Sequence, residues 1–198
     1  MKIGNFRVTL GFIVLGFFGL LASGFTNEPT AFELIKEGNR HIGEEAKDQV
    51  IQIRSDKSIG TLTPSIWYVV YYDPDAPARA TEVKFGAGSK LGVKRPSRVV
   101  QSFRGSHLLL NREKLKMDSD KIVDLATKEP MLNNLKLRAT QLWLQRQGWT
   151  PDDGPVWKVR LWAAKLRRPE ETVNIGELFL SAEDGKVLRN DLHINRVD

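Results

Sequence analysis

A chain of 198 residues, 41% hydrophobic and 27% charged, has ordinary globular composition, which excludes fibrous and low-complexity classes. It contains no cysteine, so disulfides, a thiol nucleophile and a cysteine-linked lipid anchor are excluded as well. The formal charge of +6 is local: from Lys84 to Lys116 nine basic residues (Lys84, Lys90, Lys94, Arg95, Arg98, Arg104, Arg112, Lys114 and Lys116) accompany one acid, Glu113.

The first 25 residues stand apart. Lys2 and Arg7 precede an apolar run from Val8 to Leu21, and Ala22-Ser23-Gly24 places small residues ahead of a cleavage point. That is the layout of a secretory signal peptide over 1–24, with cleavage expected after Gly24. The run up to Phe25 is also long enough to stay as an uncleaved membrane anchor. The expected location is the periplasm or the extracellular space, where the fold must stand without disulfides. The remainder can bury about 70% of its unfolded surface, as one continuous domain or as two small ones.

A first cycle follows. Ala31, Leu34, Ile35 and Ile42 fall near helical spacing, with Thr30 as N-cap, Glu33 three residues on, and Gly38-Asn39 as a stop. Val50–Arg54 reads as a strand with Ile51 and Ile53 on one face, and 56–64 as a loop. Ile66–Tyr72 is apolar on both faces and so a central strand; Asp73-Pro-Asp-Ala-Pro77 breaks it. Thr81–Phe85 is a third strand with Val83 and Phe85 on one side. Gly86-Ala-Gly88-Ser-Lys-Leu-Gly92 reads as a glycine-rich turn. Its spacing differs from a dinucleotide fingerprint, and Val-Lys-Arg-Pro cannot open a phosphate-binding helix after it. A basic connector spans 99–117, with Val99–Phe103 and Leu108–Leu110 pinning it to the body.

A second cycle opens at Asp118-Ser119, which cap a helix carrying Ile122, Leu125 and Ala126 and stopped at Glu129-Pro130. Leu135–Leu144 reads as a strand with Leu135, Leu137, Ala139 and Trp143 at even spacing; a helix from Pro130 to Gly148 competes. Between Trp157 and Trp162 apolar and basic residues alternate, the mark of a strand with one buried face. In Val173–Ala182 the apolar residues change parity around Gly176, where a one-residue bulge would return Val173, Ile175, Leu178 and Leu180 to the core. Asp184-Gly185 supplies a turn, with Gly185 at positive φ.

The two cycles share an order, and Pro64-Ser-Ile-Trp67-Tyr-Val echoes Pro155-Val-Trp157-Lys-Val, which points to a duplication over 25–98 and 118–198. Asp120-Lys-Ile-Val-Asp-Leu-Ala126, Trp157-Lys-Val-Arg-Leu161 and Asp184-Gly-Lys-Val187 resemble the helix, W-x-V-x-L strand and D-G-K-V strand of the PepSY family. The resemblance covers about half of the chain after the signal. Gly86-Ala-Gly-Ser, in place of an acidic turn, and the 73–77 loop depart from it. It implies an α+β fold of two cystatin-like units, each a helix on an antiparallel sheet, with Trp67, Trp157, Asp184 and Gly185 as structural anchors. It also implies an exported module that binds and restrains peptidases, and it brings no catalytic residues.

The residues offer little chemistry. His41, His107 and His193 lack neighbours at metal-ligand spacing, and no nucleophile motif is present. The acid pairs Asp73/Asp75, Asp152/Asp153 and Glu170/Glu171 read as turn residues, too few for a calcium site. No catalytic, cofactor or metal site is expected. The expectation is a non-enzymatic module that binds an envelope or secreted protein, a peptidase among the candidates, through a sheet edge or through the helix-free face of the sheet. The alternative is attachment through 84–116 to an anionic membrane or wall polymer. Nucleic acid is not expected, because only Phe85 and Phe103 interleave with the charges.

Overall fold

The computed structural model describes residues 28–96, 109–146 and 154–198. The signal and anchor expectations, Arg98, Arg104, His107 and Asp152/Asp153 lie outside them. Each cycle is a short helix followed by a four-strand meander. The first holds α1 (Ala31–Gly38), β1 (Val50–Ser55), β2 (Ile66–Tyr72), β3 (Ala80–Gly86) and β4 (Ser89–Lys94). The second holds α2 (Ser119–Thr127), β5 (Leu137–Arg146), β6 (Pro155–Ala164), β7 (Thr172–Ser181) and β8 (Val187–Leu192).

The expected pair of cystatin-like units does not form. All eight strands make one antiparallel sheet in the order β4-β3-β2-β1-β5-β6-β7-β8. The first strands of the two meanders pair with each other, Gln52–Arg54 against Gln145–Trp143. The helices have 8 and 9 residues. At about 12 Å each, neither can close over a four-stranded sheet and finish a core alone. One core cluster therefore draws on both cycles: Leu34 and Ile35 of α1, Ile122 and Ala126 of α2, and Ile53, Trp67, Val69, Phe85, Leu142, Leu144, Trp157, Val159 and Leu178 of the sheet.

The helices meet at their N-termini. The Asp118 carboxylate accepts from the N–H of Phe32 at 3.1 Å and from that of Ser119 at 2.6 Å, and the Ser119 hydroxyl accepts from the N–H of Ala31 at 3.0 Å. One pair of residues thus caps two helices, each with amide donors that have no partner inside its own helix. The Glu33 carboxylate accepts from the N–H of Thr30 at 2.9 Å, the expected reciprocal contact. Burial pushes the Asp118 carboxyl above its ordinary range, against the pull of these donors.

The β1–β5 seam is short, and serines extend it. Ser55 Oγ accepts from the N–H of Leu142 at 2.9 Å, and Ser58 Oγ from that of Thr140, also at 2.9 Å. The strand expected over 135–144 forms as β5, two residues later at Leu137–Arg146, in place of the competing helix.

Bulges correct several facings. The register shifts between Val50 and Gln52, which turns Ile51 away from Ile53. A second shift between Leu137 and Ala139 puts Leu142 and Leu144 in the core and Trp143 on the opposite face. The change of parity near Gly176 is resolved as expected: the ladder skips Ile175, and Val173, Ile175, Leu178 and Leu180 all reach the core. Gly176 has φ +116°, and Gly185 in the β7–β8 turn has φ +76°. The glycine-rich turn proves to be a two-residue hairpin, Ala87-Gly88 with both φ positive, and it opens a strand that the residues did not suggest, β4.

Candidate functional site

Among the described residues both helices cover one face of the sheet and no helix lies on the other. At one end of that second face Ile51, Val70 and Ala80 pack with Tyr72 and Leu109. The rest carries charge and aromatic rings. The register aligns one residue from each of seven successive strands, β3 to β8, in a single transverse row: Lys84, Tyr68, Arg54, Trp143, Lys158, Phe179 and Arg189. Cation and ring alternate without a break.

Every ring in the row carries at least one cation from a neighbouring strand. The Arg54 guanidinium lies 3.9 Å and the Lys84 ammonium 5.2 Å from the centre of Tyr68. Lys158 is 4.3 Å and Arg160 4.9 Å from Trp143, and Arg189 is 4.6 Å from Phe179. At these distances the ring quadrupole attracts the cation by about 0.5–1 kcal/mol where water has access. The hydrogen bond to the Tyr68 hydroxyl holds the Lys84 ammonium above the usual lysine value, with Asp56 and Glu82 adding to it. Tyr68 itself donates to Asp56 at 3.1 Å.

Three acids besides Asp56 flank the row. Arg54 pairs with Glu82, Arg160 with Glu177 at 2.6 Å, and Arg189 with Asp191, whose carboxyl is held below its ordinary range by that guanidinium. Lys94, aligned with Glu82, and Arg160 bring the strand cations on this face to six, against four acids with Asp56. Glutamines line the row as well: Gln52 donates to Gln145 at 2.9 Å on one side, and Gln141 lies on the other.

Among the described residues, the basic side chains of 84–116 do not form one patch. Lys84 belongs to the row, while Lys90 and Lys94 lie on the edge strand β4. Arg95 approaches the buried Asp73 carboxylate at 3.8 Å, Arg112 pairs with Asp48 at 2.6 Å, and Lys116 with Glu183 at 3.2 Å. Lys114 is in a short 3-10 turn. The anchors are structural: Trp67 donates to the Pro64 carbonyl and Trp157 to that of Met117, both at 2.8 Å. Trp157 also stacks on Phe32 with centroids 6.2 Å apart. The Asp184 carboxylate accepts from the Lys186 N–H at 3.1 Å and shapes the turn around Gly185.

Both sheet edges are blunted. β4 is six residues long, carries Lys90 and Lys94, and has a register shift opposite Lys84 and Phe85. β8 carries Arg189, Asn190 and Asp191 and shifts opposite Phe179 and Leu180. Charges and bulges of this kind discourage an added strand. Among the described residues no three His, Asp or Glu side chains gather as a metal site. No helix among them is long and apolar enough to cross a membrane. The chain matches no protein family, no curated protein and no solved structure with which it was compared.

Proposed function

We propose that this protein is a non-enzymatic binding module of the cell envelope that holds an anionic partner on the uncovered face of its sheet. The observation that carries this reading is the unbroken Lys84–Arg189 row. Its cations are seated on rings and so pre-positioned, which lowers the ordering cost of binding. Six strand cations against four acids leave the face positive, and a positive surface recruits anions. Export and the restraining role implied by the PepSY resemblance are compatible with such a module. The blunted edges weigh against strand addition as its mode of contact.

The reading is tested with dextran sulfate and neutral dextran, using full-length protein and following tryptophan emission, to which the half-buried Trp143 contributes. Dextran sulfate should bind and neutral dextran should not. Binding should fade by 0.5 M salt, where the screening length is about 4 Å. Replacing Arg54 and Lys158 by Gln should weaken it, while replacing Lys90 and Arg112 by Gln should leave it unchanged. The opposite pattern would move the site to the 84–116 segment. No binding to dextran sulfate at low salt would end the proposal.

A further inference from the structure

We propose, resting on the reading above, that the partner is an extended acidic polysaccharide whose acid groups recur on every second sugar, lying across the strands along the Lys84–Arg189 row. The row has a period of two. Lys84, Arg54, Lys158 and Arg189 stand on alternate strands, so cations recur about every 9.5 Å, twice the spacing of neighbouring strands. A glycan that alternates acidic and neutral sugars presents its carboxylates at a similar interval, with a neutral sugar bridging each pair of cations. The amides of Gln52, Gln145 and Gln141 flank the row where sugar hydroxyls would need donors and acceptors.

Other polyanions fit the row less well. Nucleobases need bare ring faces to stack on, and here Tyr68, Trp143 and Phe179 already carry cations. Nucleic-acid phosphates also follow one another more closely than these cations do. A bilayer surface is flat, whereas strands rotate by about 20–25° each, so a row crossing seven strands turns through more than 100° and leaves the plane. A flexible chain can follow that turn. In an extended acidic peptide the acids on one side recur at every second residue, about 6.6–6.8 Å apart, closer than these cations.

The test compares oligomers of equal charge on the full-length protein. The probes are a hyaluronan octasaccharide (four carboxylates, on alternate sugars), tetragalacturonate (four carboxylates, on successive sugars), a tetraglutamate peptide and a thymidylate oligomer with four phosphates. Hyaluronan should bind at least about fivefold tighter than tetragalacturonate, a difference of about one charge contact. Arg54→Gln and Lys158→Gln should each erase most of that preference, and circular dichroism should show both variants folded. Equal binding of the two glycans would overturn the spacing inference while leaving an anion-binding face. Tightest binding of the peptide or the thymidylate oligomer would overturn it in favour of that class. Failure of all four probes, together with failure of dextran sulfate, would overturn both readings.

Discussion

Trp143 and Trp157 lie on neighbouring strands, one register step apart, and face opposite ways. Trp157 is fully buried, stacks on Phe32 and donates to Met117 from beneath the helices. Trp143 is half-buried under two cations, among residues that also pair with acids. The same side chain thus serves burial on one face and electrostatic seating on the other. The helix side holds the fold together by excluding water. The open side keeps its polar groups satisfied by one another and still accessible, and only such a surface can exchange internal contacts for a ligand's.

If that division is right, truncation on the helix side costs far more stability. Trp157→Ala removes the largest buried side chain and its hydrogen bond, so urea unfolding should show a loss of about 3–5 kcal/mol. A loss below about 1 kcal/mol would mean that the helices do not seal this core. Gly176→Ala probes the bulge that turns Ile175 and Leu178 to the same side. A methyl group there meets the Asp191 carbonyl oxygen, and φ is +116°. The strain should cost about 1–3 kcal/mol, read as a lower thermal midpoint.

The sequence makes the helix side legible and hides the open one. Alternation in Trp157–Trp162, the capping pattern at Thr30 and Glu33, and the change of parity at Gly176 are local signals, and each forms as expected. The row is built from residues 54, 68, 84, 143, 158, 179 and 189, which only long-range register brings together. Two bulges also defeat parity counting, at Ile51 and ahead of Ala139, so Trp143 reads as a core residue. β4 escapes notice because Ser89-Lys-Leu-Gly-Val-Lys94 has one β-branched residue and a glycine. Closeness in sequence does not by itself place the described basic residues of 84–116 together: strands send successive side chains to opposite faces, and neighbouring loops supply Asp48 and Glu183 as partners. The single sheet had no local sign either, since the β1–β5 seam joins residues about ninety positions apart.

Asp118 tests how the helix layer is fastened. Asp118→Ala should cost about 1–2 kcal/mol, because it leaves the N–H groups of Phe32 and Ser119 without their carboxylate. Asp118→Asn separates charge from shape. The folded-state carboxyl lies above its ordinary range, so folding favours the protonated acid. The stability this adds is present in full below the ordinary aspartate range and is lost as pH rises through the raised value. Relative to the parent protein, the Asn variant should therefore gain stability as pH rises through that interval. Urea midpoints measured at several pH values check it, and a difference independent of pH would contradict it.

The smallest stability effect belongs to Trp143→Leu. The substitution keeps an apolar group at a half-buried position but removes the ring on which Lys158 and Arg160 rest. Each cation keeps Glu177 within reach, at 3.8 Å and 2.6 Å, so neither is left without a partner. Unfolding free energy should fall by no more than about 1 kcal/mol, the scale of exposed cation–π contacts. Dextran sulfate binding should nevertheless weaken by about fivefold, because Lys158 then samples more positions and must be ordered by the ligand. A large stability loss with unchanged binding would invert the assignment of the two faces. It would make Trp143 a second core residue and the ladder a structural cover, leaving the cations with no claim on a ligand.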